Sequence, residues 1–152
     1  MDYFLLMQLF ISASTGNIIC YTSCMNYKNI FSGFSVDDIQ KAKKFYMEVL
    51  GLEVVDTGMG LEIHLPQGGA IFAYAKGTFH QPASFTILNF EVENINDVID
   101  ELIKKGVIFE RYDALPALQD EKGVLRGKAA GMGPNIAWFK DPAGNILSIL
   151  EN

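Results

Sequence analysis

The chain writes one strand–helix passage twice. Residues 34–51 read FSVDDIQKAKKFYMEVLG, and residues 90–106 read FEVENINDVIDELIKKG. Phe34, Val36 and Ile39 recur at one constant step as Phe90, Val92 and Ile95, and the closing Gly51 recurs as Gly106 with one residue lost. A unit this long exceeds the usual solenoid repeats, and two copies suit a domain of paired modules better than an array. Whatever this chain folds into must therefore accommodate the same local structure in two places.

The physics of each copy is legible. In the first, Asp37 stands where a side-chain oxygen can cap the free N–H groups of a first helical turn. Ile39, Ala42, Phe45, Tyr46, Val49 and Leu50 follow at helical spacing, Lys41, Lys43 and Lys44 fall on the other side, and Gly51 supplies the left-handed stop. In the second, Asn94 is the cap, Ile95, Val98, Ile99, Leu102 and Ile103 form the stripe, and Gly106 is the stop. Around the helices the period becomes two. Strands are expected at 30–36, 52–57, 61–65 and 70–76 in the first half, and at 83–92, 107–111, 135–140 and 146–150 in the second. Each half is then βαβββ.

Alternation also assigns faces. Phe34, Val36, Leu61, Ile63, Leu65, Ile71, Ala73 and Ala75 point toward the first helix, which leaves Phe31, Gly33, Ser35, Glu62, His64, Phe72 and Tyr74 on the opposite side. In the second half Thr86, Leu88, Phe90 and Val92 point toward the helix, and Ile87, Asn89 and Glu91 away from it. The phase of the strand carrying Trp138 against the DPAGN turn (residues 141–145) is not fixed by the sequence. Residues 113–134 hold four glycines and two prolines without periodicity, and read equally as a lid over a ligand and as a surface insertion.

The formal charge of −6 disfavours nucleic acid as a partner and is compatible with a cationic ligand, although an acidic surface also serves solubility. Residues 1–24 differ from the rest: they contain one charge, Asp2, and no Lys or Arg. They lack the basic start of a signal peptide, and their polar second half is unsuited to a membrane span. They read as an appended or mis-called tail, Met25 offering another start, ahead of a single domain over 25–152 with modules at about 29–82 and 83–152. Both cysteines, Cys20 and Cys24, lie in that tail, so the domain has no disulfide framework, which suits a cytoplasmic protein.

The layout, with FSVDDIQKAKKFYMEVLGLEV at one end and IAWFKDPAGNILSIL at the other, resembles the vicinal oxygen chelate superfamily of glyoxalase I, extradiol dioxygenases, and fosfomycin- and bleomycin-resistance proteins. The likeness spans about residues 29–151. It implies an α+β fold in which tandem βαβββ modules form a half-open curved mixed sheet around a ligand, commonly in a homodimer. It also implies a divalent metal held by His, Gln or Glu, one on the first strand of each module and one on the last, with a further Glu in some members. Transferred here, those positions are Phe31, Ile87, Ser148 and, for the additional one, a place near Phe72. None is a firm ligand, so no metal and no cofactor is expected.

The remaining candidates are those of a small-molecule pocket. Phe31, Phe72, Tyr74, Ile87 and Trp138 would supply apolar surface, and Glu62, His64, Asn89, Glu91 and Ser148 orienting contacts. The expected partner is a small organic molecule, cationic or aromatic, and neither nucleic acid nor membrane. Two alternatives stand beside metal-independent binding: an enzyme using a relocated Glu62/His64/Glu91 metal site or His64 as base, and a regulatory module that kept the fold and lost the site. His80, the second histidine, follows a Gly-Thr-Phe loop and reads as exposed.

Overall fold

Both helices form where the apolar stripes lie, and each is opened by a side chain. The computed structural model describes residues 27–112 and 119–152, so residues 1–24, with Cys20 and Cys24, and residues 113–118 of the long loop lie outside it. Helix α1 (Ile39–Lys44) begins at Asp38, whose carboxylate accepts from the Gln40 and Lys41 N–H groups. The cap is one residue later than the Asp37 expected. Asp38 has the extended backbone a cap requires, and Asp37 instead accepts from the Asp38 N–H. After Lys44 the helix widens into a π-helical turn (Phe45–Val49), closed by Leu50 N–H donating to Phe45 O at 3.1 Å. This turn drives Tyr46 fully into the core, where the Phe34 and Phe45 rings pack against it at 5.7 and 5.5 Å. Helix α2 (Ile95–Lys104) is capped by Asn94 as expected, and buries Ile95, Ile99 and Leu102. Ile103, expected in the same stripe, is half exposed at its edge. Gly51 and Gly106 take the positive φ of 71° and 88° that ends each helix.

Two four-stranded mixed sheets carry the helices. The first contains β1 (Ser32–Val36), β2 (Val54–Asp56), β3 (Leu61–His64) and β4 (Ala70–Ala75) in the order β1-β4-β3-β2. The second contains β5 (Thr86–Glu91), β6 (Leu125–Arg126), β7 (Asn135–Lys140) and β8 (Ile146–Glu151) in the order β5-β8-β7-β6. In each, the first and last strands pair in parallel and the others antiparallel. The sheets are open, and each buries one face against its helix: Phe34, Val36, Leu61, Ile63, Ile71 and Ala73 in the first, Ala137, Phe139, Leu147 and Ile149 in the second. This is the tandem βαβββ fold, and residues 31–152 form one compact unit.

The second strand of module two departs from expectation. Instead of a strand over 107–111 there is one bridge, Phe109 to Phe139, and pairing to β7 resumes only at Leu125–Arg126. Between them the chain turns back on itself. The Arg111 guanidinium donates to the Asp120 and Glu121 carbonyls, and the Gln119 amide donates to the Glu110 and Gly123 carbonyls. A short helix, α3 (Gly127–Ala130), follows within the stretch read as aperiodic.

The modules are joined by side chains of the DPAGN turn. Tyr46 Oη donates to Asp141 Oδ2 at 2.9 Å, and both residues are buried. Asn145 Nδ2 donates to Asp141 Oδ2 and to the Ser35 carbonyl, at 2.9 and 3.0 Å, while its Oδ1 accepts from the Ala83 N–H. The sequence motif is thus a clasp: an Asp and an Asn four residues apart, folded so that one side of a turn grips module one. Among the described residues no helix is long and apolar enough to cross a membrane.

Candidate functional site

The side of each sheet away from its helix carries the polar and aromatic candidates. In module one the register sets Gly33, Phe72 and Glu62 in one row and Ser35 beside Tyr74 in the next, all on the open face. Phe72 stands between two other rings: Phe31 meets it edge-on at 6.4 Å, and Tyr74 lies nearly parallel to it, also at 6.4 Å. Gly60 makes this possible, since a Cβ there would come within 2.6 Å of the tip of the Phe72 ring. Phe31 is 63% exposed and Tyr74 40%, so the row offers flat apolar area to solvent.

His64 is flanked by carboxylates on both sides. Its Nδ1 is 3.7 Å from Glu53 Oε1, and its Nε2 is 3.8 Å from Glu62 Oε2. Glu62 was foreseen from alternation along β3. Glu53 was not, because it precedes β2 and reaches His64 only through hairpin register, in which the Glu53 carbonyl accepts from the His64 N–H. Glu91, the third member of a relocated metal site, is not brought to them and accepts from Asn152 Nδ2 at 2.7 Å. Among the described residues no group of three or more His, Cys, Asp or Glu side chains is placed to hold a metal ion.

In module two, Asn89, Ser148 and Trp138 share a row. β7 buries Ala137 and Phe139 on the helix side, which fixes the facing of Trp138: its indole is on the open face, packed edge-on against Tyr112 at 5.7 Å. Ser148 is fully buried and donates its hydroxyl proton to Asn89 Oδ1 at 2.6 Å. Ile87 does not continue the alternation. The register to β8 slips between Thr86 and Leu88, so Ile87 falls on a bulge and packs partly against the core.

Phe31, Phe72 and Ile87 have no side-chain donor atom, which leaves the neutral hydroxyl of Ser148 alone. A divalent ion needs several imidazole, thiolate or carboxylate donors converging on one point. The residues at the transferred positions do not fit one.

His80 differs most from its sequence-level expectation. It is half buried, with Nδ1 2.9 Å from Ser35 Oγ and Nε2 2.9 Å from the Ala143 carbonyl. Nothing local to residue 80 announces partners so far along the chain. Ser35 in turn lines a cleft of about 410 Å³ between β1 and residues 81–87, at the joint of the two modules.

Comparison with known proteins places these features in a wider group. The model of the Glyoxalase/Bleomycin resistance protein/Dioxygenase superfamily matches residues 32–149. Among solved structures, an integron cassette protein from the mobile metagenome of the Halifax Harbour sewage outfall is similar at TM-score 0.59 and 22% identity, over 83% of this chain and 100% of that one. The genomically encoded fosfomycin resistance protein FosX of Listeria monocytogenes is similar at TM-score 0.57 and 13% identity, over 84% and 95%. A lactoylglutathione lyase of Agrobacterium tumefaciens is similar at TM-score 0.54 and 17% identity, over 84% and 96%. At these identities the likeness is one of fold. Comparison with curated protein sequences returns no match.

Proposed function

Since the chain belongs to the glyoxalase/bleomycin resistance protein/dioxygenase superfamily, we propose that it binds a small, flat, cationic organic molecule on its open face and needs no metal to do so. The observation that carries this is the aromatic row Phe31–Phe72–Tyr74, with Glu62 in register beside Phe72. An aromatic face attracts a cation through its quadrupole, and a neighbouring carboxylate adds a full charge. Glu53 gives a second carboxylate beyond His64, and the formal charge of −6 draws cations toward the surface. Side chains without donor atoms at three of the four inherited ligand positions favour an organic ligand over an ion. Asn89 and Trp138 extend the open face into module two.

The test is calorimetric titration with a panel of cationic aromatic compounds and their neutral isosteres, with and without EDTA. Saturable binding of the cations, unaltered by EDTA and weakened about tenfold by Phe72→Ala, is the expected outcome; a tenfold loss is 1.4 kcal/mol, within the range of a cation–π contact. Equal binding of cations and isosteres, or binding abolished by EDTA, would sink the proposal.

One observation favours a second reading, in which the same face is catalytic. The His64 imidazole, set between two carboxylates and 38% exposed, is positioned to take a proton from a bound molecule. A lactoylglutathione turnover assay on protein purified without chelator, with His64→Ala beside it, decides between the two. Turnover lost in the variant would favour catalysis.

A further inference from the structure

The cleft at the joint of the modules shares Gly33 and Ser35 with the edge of the open face but none of that face's charged residues. Its volume of about 410 Å³ lies within the range of small-molecule sites, and no charged residue is among those lining it. Phe34, Ile71, Phe85 and Ile87 provide its apolar wall. Gly33 lies beside Ser35 in the wall, where an added Cβ would stand 3.0 Å from the Phe72 carbonyl oxygen and push that strand by a few tenths of an ångström.

Ser32, Gln81, Ser84 and Thr86 also line the cleft, and proton bookkeeping fixes what Ser35 presents among them. The Ala143 carbonyl can only accept, so His80 Nε2 carries a proton and donates to it. A neutral imidazole has one N–H, so Nδ1 is bare and accepts from the Ser35 hydroxyl. Ser35 has no second proton, and what it turns toward the cleft is a lone pair. Asn145, also in the lining, has both amide protons committed to the Ser35 carbonyl and Asp141, and its oxygen to the Ala83 N–H. Ser35 therefore offers the cleft an acceptor, with no charged residue beside it in the lining.

We propose that this cleft is a second small-molecule site, selective for a neutral apolar compound bearing one hydrogen-bond donor, such as a phenol or an alcohol. The donor meets Ser35 Oγ. His80 is a positioning residue: it touches no ligand, and holds Ser35 in its accepting state. The absence of charge in the lining separates this site from the cation-binding face, so either can fail without the other.

The experiment is titration of the full chain with phenol and with its methyl ether, anisole, followed through backbone amide resonances. Phenol should shift the amides of Gly33, Ser35 and residues 84–87 saturably and bind about tenfold more tightly than anisole, the value of one hydrogen bond of about 1.4 kcal/mol. Ser35→Ala should bring phenol down to the level of anisole. His80→Phe removes the acceptor that holds the Ser35 proton, so acetophenone, which only accepts, should gain on phenol; a merely structural role for His80 would not reverse that order. Equal affinities for phenol and anisole in the wild-type protein, or shifts confined to Glu62, His64, Phe72 and Tyr74, would overturn the proposal. Should His80→Phe fail to fold, the wild-type and Ser35→Ala comparison still decides it.

Discussion

Tyr46 donates its hydroxyl proton to Asp141, and both residues are buried. Burial pushes the Tyr46 pKa far above its ordinary value, and the neighbouring Asp141 carboxylate pushes it further. The sign of the resulting pH dependence follows. The stability linked to Tyr46 is complete below the unfolded tyrosine pKa of about 10, and is lost as the pH rises beyond it, because only the unfolded chain ionises. Tyr46→Phe should cost about 1–3 kcal/mol in urea unfolding at neutral pH, since Asp141 loses a donor it cannot replace with water. The same variant should also flatten the fall in stability above pH 10. Tyr46 was legible as a member of an apolar stripe, but its polar partner is 95 residues away and no local pattern points to it. His80 escaped for the same reason. Glu62, His64, Phe72 and Tyr74 did not, because they sit in regular strands where the period of two holds from end to end. At Ile87 the same rule meets a bulge that adds one residue, and the side chain packs partly against the core.

At the scale of elements, the helices were readable because caps and glycine stops are local chemistry, correct to within one residue even at Asp38. The split edge of module two was not readable, since it depends on Arg111 and Gln119 gathering carbonyls from a turn. Helix α2 adds a long-range element to its cap. Glu151, on β8, accepts from the Ile95 N–H at 3.0 Å and from Lys128 Nζ at 3.1 Å. The Ile95 hydrogen bond, and then that with Lys128, holds the Glu151 pKa below its ordinary value. A lowered folded-state pKa means that the linked stability is present above the unfolded value of about 4.3, and disappears as the pH falls through the folded one. Thermal melts between pH 6 and pH 3 should show this loss. Glu151→Gln should lower the melting temperature at pH 6 and weaken its dependence on acid; an unchanged acid limb would remove Glu151 from the account.

At the scale of the whole molecule, the two sheets are held together through Asp141, Asn145 and the groups they engage in module one. Asn145→Ala deletes the bonds to the Ser35 carbonyl and the Ala83 N–H and leaves Asp141 short of a donor, so it should uncouple the modules as well as destabilise them. Trp138 is the single tryptophan and lies in module two, which makes the uncoupling visible. In the wild-type protein, tryptophan fluorescence and far-ultraviolet circular dichroism should trace one denaturation curve. In Asn145→Ala the two curves should separate, and coincident curves would mean that the joint does not depend on this turn.

The clasp also makes the two copies unequal. The turn of module two reaches across to module one, whereas the corresponding turn of module one, residues 66–69, makes only local hydrogen bonds among the described residues. After a duplication, descendants would be free to rewrite one turn and not the other. The helices, each bound to its own sheet by the same demands, would drift in step. In this chain the repeat is legible as strand, helix and glycine, and not in the hairpins.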